Sequence, residues 1–487
     1  DVYKRQVVKQ SNILLKTANI LGIPTIITEQ YPKGLGKTVD YLAEHINDST
    51  EVFEKTAFSV LKDEGFAEKL KAYGKKQIII GGIEAHICVH QTVADLIEAG
   101  YEVVDFETKA DIYIINTCTV TNMADKKSRQ MLRRVKEINP EAILVAVGCY
   151  AQVAKEKLEQ IPEIDLILGI NEKNDIVKYV EQASKNTYVS DVLHQTEFLD
   201  FGDVTYTEKT RAVIKVQDGC NQFCSYCIIP YARGRIRSRK PESVIKEITD
   251  VAKEGIKEVV ITGIHIASYG KDFDIEPEYR LIDLLEEIQK VDGIQRIRLG
   301  SLEPTLITEE FVTRLKKLSK ICDHFHLSLQ SGCDETLKRM NRKYTTDQFK
   351  HVVELLKNAY PEVHLTTDVI VGFPGETEEE FNKTYEFLKE IKFYKMHVFK
   401  YSPRSGTVAA KMPNQIDGNV KEERSNKLIE LSDKNEKEYN QQYIGKEVEV
   451  LLEEREGEYL KGHTTNYMVV KMKTNENLEN TIQKVVV

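Results

Sequence analysis

No tryptophan occurs in the 487 residues, an absence that excludes nothing. More telling is the lack of any run of ~18 uncharged apolar residues, without which no membrane-spanning helix is expected. The chain opens DVYKRQVVKQ, with no Met and no apolar segment of the kind a secretory leader needs. It reads as the broken end of a longer reading frame, and a cytoplasmic protein without a membrane partner is expected. An excess of positive charge is lacking too. The formal balance is −9, so a nucleic-acid partner requires a local basic surface. Apolar content of 41% and charged content of 30% describe ordinary globular protein, and the length suggests three or four domains.

What is present is patterned. There are eight cysteines, several at tight spacing. In a large chain without an export signal, that points to metal or cluster ligation and away from disulfides. The fold class expected is α/β. Residues 1–104 alternate helix and short apolar strand, as in QIIIGG followed by HQTVADLIEAG, an open parallel α/β pattern. Residues 105–186 contain two apolar strands, ADIYIINTC and EAILVAVGC, each ending in a cysteine. Cys118 and Cys149 are thus expected in one crevice at the C-terminal ends of adjacent parallel strands, where such sheets take ligands. A polar linker follows at 187–209. Residues 210–433 alternate six strands (RAVIKVQ, EVVITGI, QRIRLGS, HFHLSLQ, HLTTDVIVG, KMHVFKY) with helices, predicting an incomplete (β/α)6 barrel. Residues 443–487 read as the short strands KEVEVLLEE, YLKGHTT and YMVVKM of a small β-barrel, which stops at QKVVV and is expected to be truncated.

Within the barrel segment, GCNQFCSYC places Cys220, Cys224 and Cys227 at Cys-x3-Cys-x2-Cys spacing. The motif follows the first barrel strand, so the thiolates belong at the C-terminal mouth, where barrel enzymes do their chemistry. Three thiolates on one tight loop can hold three irons of a [4Fe–4S] cluster and leave the fourth open to a small molecule. The competing structural zinc site usually takes four closed ligands in two Cys-x2-Cys pairs, and no fourth ligand lies nearby in sequence. Other strand ends aim polar groups at the same mouth: Gly263 in ITGIH, Glu303 in GSLEP, Gln330 in SLQSG, Arg342 in NRKY and Asp368 in TTDVIVGFPGET. Tyr226 lies inside the loop. All six are candidates for cofactor contact, although each alone is equally a structural polar group at a strand end. The run RGRIRSRK (Arg233, Arg235, Arg237, Arg239, Lys240) directly after the loop is a candidate for RNA phosphate contacts, with a solvated charged turn as the alternative.

The Cys-x3-Cys-x2-Cys loop is similar to that of the radical-SAM superfamily, in which S-adenosylmethionine chelates the open iron and is cleaved to a deoxyadenosyl radical. GCNQFCSYCIIPYARGRIRSR, TGIHIASYG, LQSGCDETLKRMNRKY, DVIVGFPGET and YSPRSGTVAAKM resemble the radical-SAM methylthiotransferases from about Gly100 onward. That resemblance implies an N-terminal cluster domain, a radical-SAM barrel and a small RNA-binding β-barrel called TRAM. It implies sulfur insertion and methylation, with S-adenosylmethionine as both radical source and methyl donor, and an electron-donor protein. INTCTVTNMADKKSRQ and VAVGCYAQ resemble the branch that modifies N6-threonylcarbamoyladenosine at position 37, in the anticodon loop of tRNA; DNA is not an expected partner. The family's second [4Fe–4S] cluster uses three cysteines. Cys118 and Cys149 match two, and the loop that would carry the first is replaced by other sequence. Residues 7–104 resemble an isochorismatase-like cysteine hydrolase, with Lys55 in FEKTAFS and the nucleophile Cys88 in GGIEAHICV, although that family's aspartate is missing. Two further expectations follow: a hydrolase remnant or inactive fusion as alternative functions, and Cys88 as a substitute for the missing cluster ligand.

Overall fold

The structure is a computed structural model that describes residues 106, 109–119, 122–181, 185–198 and 210–487, together with the backbone of two strands, β1 (Thr25–Gln30) and β2 (Thr50–Lys55). Those two strands pair in parallel. The Lys55 side chain and all of Cys88 lie outside the described residues, and with them the hydrolase-like site and the substitution of Cys88 for a cluster ligand.

The chain divides into two compact units, one formed by Asp1–Cys118, Ala124–Ser190 and Glu456–Glu458, the other by the remainder. In the first, β3 (Ile112–Thr117), β4 (Ile143–Gly148), β5 (Leu166–Leu168) and β6 (Asn186–Tyr188) form a parallel sheet in that order. Helix α1 (Asn122–Ile138) returns the chain from β3 to β4. Leu144 and Ala146 on one face of β4, and Val145 and Val147 on the other, are buried. A strand covered on both faces needs an unbroken apolar run instead of alternation, and AILVAVG supplies it. The segment expected as linker begins with β6, so the sheet extends to 188.

In the second unit the six barrel strands appear where the sequence places them: β7 (Arg211–Asp218), β9 (Glu258–Gly263), β10 (Arg296–Leu299), β11 (His324–Gln330), β12 (His364–Val371) and β13 (Lys395–Lys400), with the two-residue β8 (Arg237–Ser238) added antiparallel to β7. Parallel pairing runs β7–β9–β10 and β11–β12–β13. Bridges Ile297–Ile321 and Leu302–Leu327 join the two sets, giving the open, half-closed barrel expected. Strand alternation sorts the side chains. Ala212, Ile214 and Val216 are buried under helices such as α2 (Pro241–Lys253), while Arg211, Val213 and Lys215 on the other face are only partly buried. A helix over Gly418–Gln441 packs on β13 and runs past the boundary expected at 433.

The C-terminal segment is a four-stranded antiparallel sheet, ordered β16–β15–β14–β17, from β14 (Glu447–Glu456), β15 (Tyr459–Thr464), β16 (Val469–Lys473) and β17 (Thr481–Val486). The sequence reading missed β17. TIQKVV alternates weakly and lies half-exposed, yet it pairs with β14 through Glu447–Val486. Backbone carbonyls of His463, Thr464 and Thr465 accept from Arg296 and Arg298, which start from the N-terminal end of the half-barrel. The fully buried Glu258 takes Arg298 at 2.8 Å. The Arg298 guanidinium lies 4.7 Å over Tyr467, whose ring stacks on His324 and His463. The sheet therefore seats at the end of the strands opposite the cysteine loop.

Candidate functional site

The cysteine loop is built from its flanks. At the end of β7, Asp218 accepts from Gly219 N at 2.8 Å and faces Lys215 at 2.7 Å, Arg233 at 3.6 Å and Arg237 at 3.7 Å. Burial alone would raise its carboxyl, but the three cations win and hold it at about 2. Gly219 follows at φ +71, and a Cβ there would stand 1.7 Å from the Arg235 carbonyl, so only glycine lets the two arms of the loop cross. Cys220 N then donates to Gly234 O at 3.0 Å. On the other side, Ser225 N and Oγ donate to the carbonyls of Met340 and Arg339, and Asn341 Nδ2 donates to Phe223 O at 2.9 Å. The NRKY segment thus clamps the loop from across the barrel mouth.

Donors aim at the sulfurs. Arg342 Nη1 lies 3.3 Å from Cys224 Sγ, and Gln222 N lies 3.5 Å from Cys220 Sγ. Burial pushes the Cys220 thiol up to about 11 and Cys227 up to about 12, with the neighbouring thiols adding to both and Arg342 opposing. Half-buried thiols whose ionisation is disfavoured in this way are deprotonated when they bind a strongly cationic partner. Among the described residues, no three His, Cys, Asp or Glu side chains converge on a point that one ion would fill. A [4Fe–4S] cluster does not ask for that, because each thiolate takes its own iron. Three half-buried thiols on one loop, electrostatically coupled and supplied with N–H···S donors, fit the cluster; they do not fit a single closed zinc ion.

Of the six residues expected to contact a cofactor, Glu303 and Arg342 form a buried pair at 2.6 Å beside Cys224. Arg342 is fixed further by Ser328 O and Tyr344 OH, both at 3.0 Å. His265, which the sequence reading did not single out, stands 3.8 Å from Glu303 and within 3.4 Å of Gln222. Gly263 is hemmed in by Gln217 O, 2.8 Å from where a Cβ would be. Tyr226 packs against Phe373 behind the loop, and burial raises its hydroxyl pKa. Gln330 ends β11 in a left-handed conformation, φ 69. Asp368 departs from the expectation. It sits mid-strand on β12, 3.2 Å from His326 Nε2, while His326 Nδ1 meets Thr366 Oγ1 at 3.0 Å. His397, the register partner of Asp368 on β13, brings its ring to 5.7 Å from that of His326. Neither histidine carries a sequence signal beyond lying at an alternate strand position.

The basic run divides in two. Arg237 is fully buried against Asp218 and the Arg233 carbonyl, Arg239 is bound to Glu247, and Arg233 faces Asp218. Arg233 and Arg237 brace the loop and Arg239 ties to the helix that follows it, which corrects the expectation that all five residues meet RNA. Arg235 and Lys240 are exposed.

In the other unit, Cys118 follows β3 and Cys149 follows β4. The strands are in register at Asn116–Val147 and Thr117–Gly148, so the two cysteines stand side by side at neighbouring strand ends. Gly148 turns the chain at φ +106, where a Cβ would meet Thr117 O at 2.7 Å. Thr117 Oγ1 donates to Val147 O and accepts from Ala151 N, latching the two ends together.

Comparison with known proteins agrees with this geometry. Residues 214–388 match the Radical SAM superfamily, and residues 87–169 match the uncharacterized protein family UPF0004. The chain is 45% identical over 398 residues to the threonylcarbamoyladenosine tRNA methylthiotransferase MtaB of Bacillus subtilis, covering 80% of this chain and 88% of that protein. It is 42% identical to the protein of the same name from Aquifex aeolicus (77% and 90% covered). It is 37% identical to the tRNA-2-methylthio-N(6)-dimethylallyladenosine synthase of Caldicellulosiruptor saccharolyticus (82% and 87% covered). With a three-cysteine loop at the mouth of a six-stranded half-barrel and this degree of kinship over most of its length, the chain belongs to the family of radical-SAM tRNA methylthiotransferases.

Proposed function

We propose that this enzyme replaces the C2 hydrogen of N6-threonylcarbamoyladenosine at position 37 of tRNA with a methylthio group. The observation that carries the reading is the loop of Cys220, Cys224 and Cys227 held at the C-terminal mouth under the Arg342–Glu303 pair. Kinship with the Bacillus subtilis and Aquifex aeolicus proteins supports the choice of base. A [4Fe–4S] cluster with S-adenosylmethionine supplies, when bound, reductive cleavage of the sulfonium and removal of a hydrogen atom from an unreactive C–H bond. The chain's own work is positioning. Cys220, Cys224 and Cys227 hold the cluster. Arg342 offsets thiolate charge while Glu303 keeps the guanidinium in place and, with His265 and Gln222, offers polar atoms beside the loop. His326, Asp368 and His397 form a polar wall inside the half-barrel for the flipped-out base. Exposed Arg235 and Lys240 meet phosphate near the mouth.

Sulfur insertion needs the second cluster. Cys118 and Cys149 are two of its ligands in this reading. The UPF0004 match begins at residue 87, which takes in Cys88 and supports it as the third. An external electron donor completes the system, which we place with its RNA substrate in the cytoplasm.

The test is anaerobic reconstitution followed by turnover on anticodon stem-loops. A loop carrying threonylcarbamoyladenosine gains a methylthio group, read by mass spectrometry; a loop carrying the dimethylallyl base or plain adenosine does not. Equal turnover of all three, or none with any, contradicts the assignment. Iron content of about eight per chain, falling to about four in Cys88→Ala, supports the Cys88 ligand. An unchanged count removes it.

A further inference from the structure

The cysteine loop and the short segment after it carry a set of flat side chains at the surface. Phe223 lies between Cys220 and Cys224 in a left-handed conformation, φ 49. A bulky residue adopts that conformation at a cost that glycine would not incur, and its ring is only partly buried. Tyr231, on the short helix Ile229–Arg233 and 41% exposed, meets it edge-on with centroids 5.8 Å apart at 82°. The Arg235 guanidinium lies 4.9 Å over the Phe223 ring, and Arg235 is itself exposed. Thirteen residues of chain, 223 to 235, thus present two aromatic rings and one planar cation to solvent beside the thiolates.

Such a group is poorly suited to a protein partner, which would ask for a wider apolar patch. It suits an unpaired nucleobase, which stacks on aromatic and guanidinium planes whatever its identity. A cation at the same place complements the adjoining phosphate in a chain whose overall charge is −9.

Resting on the reading that tRNA is the substrate, we propose that Phe223, Tyr231 and Arg235 form a stacking platform for an anticodon-loop base flanking the modified adenosine. The platform holds the neighbouring base outside while the target base enters the half-barrel.

The test measures binding of a modified anticodon stem-loop to the reconstituted full chain by fluorescence anisotropy across a salt series. Wild type is compared with Tyr231→Ala, Tyr231→Phe, Arg235→Ala and Arg235→Lys, and iron content and circular dichroism are recorded for each. Tyr231→Ala weakens binding about tenfold with the salt slope unchanged, and Tyr231→Phe restores it. Arg235→Ala weakens binding and lowers the salt slope by about one; Arg235→Lys recovers the slope but not the full affinity. Alanine variants that retain their iron and bind like wild type overturn the platform alone. Failure of the wild type to bind the stem-loop overturns the tRNA reading, and the platform with it.

Discussion

Arg342 joins two sides of the barrel mouth: its Nη1 lies 3.3 Å from Cys224 Sγ while its Nη2 lies 2.6 Å from Glu303 Oε2. Both side chains of the ion pair are nearly inaccessible to solvent. Arg342→Gln should therefore leave a buried carboxylate unpaired, at about 3–5 kcal/mol, and remove a donor from a cluster sulfur. The expected result is a lower melting temperature together with a more negative cluster reduction potential, since hydrogen bonds to the sulfurs help set that potential. Redox titration followed by electron paramagnetic resonance measures the second effect. An unchanged potential would reduce Arg342 to a purely structural role.

The His326–Asp368 pair predicts a separate phenotype. Asp368→Asn removes a charge-assisted contact worth roughly 1.5–3 kcal/mol from the wall assigned to the base. The variant should keep its iron yet form methylthiolated product at least about tenfold more slowly. Product formation at the wild-type rate would mean that the pair only joins β11 to β12.

At the opposite end, Glu258 anchors the C-terminal sheet through Arg298, and Arg296 also reaches it. Glu258→Ala strands buried cations, and a loss of about 3 kcal/mol is expected. Limited proteolysis should then release the segment after the Gly418–Gln441 helix well before it does so in wild type. Equal protection would show that apolar contacts alone hold the sheet.

His364 gives a pH signature. Burial lowers its pKa from 6.5 to about 4, between the stacked Tyr394 ring at 4.1 Å and the Tyr443 hydroxyl. A histidine buried neutral contributes stability that is complete above pH 6.5 and is lost as the pH falls toward 4. The difference is about 3 kcal/mol. His364→Phe keeps the stack without the titration, so the gap in melting temperature between wild-type and variant apo-protein should change steadily from pH 7 to pH 4. A constant gap would contradict the assignment.

The sequence made the barrel strands legible because apolar residues buried under helices alternate with more polar ones, as with Ala212, Ile214 and Val216 in β7 and Phe325, Leu327 and Leu329 in β11, and the cluster loop legible because its ligands sit close together in the chain. It said less about partners brought together from a distance. RGRIRSRK reads as a basic run, but Asp218 and Glu247 lie on other elements, so nothing local reveals that three of its arginines turn inward. His326 and His397 acquire meaning only once β12 puts Asp368 between them. β17 escaped because Thr481–Val486 is half-exposed and owes its strand form to pairing with β14.

The central claim is that Cys220, Cys224 and Cys227 together support reductive cleavage of S-adenosylmethionine. Its most direct test is anaerobic reconstitution with iron and sulfide, reduction, and chromatographic measurement of 5′-deoxyadenosine in wild type and in a variant with all three cysteines changed to alanine. The account predicts 5′-deoxyadenosine from the wild type and none from the variant, with the fold of the variant preserved by circular dichroism. Equal formation by both, or none from a wild type that holds its full iron, would contradict it.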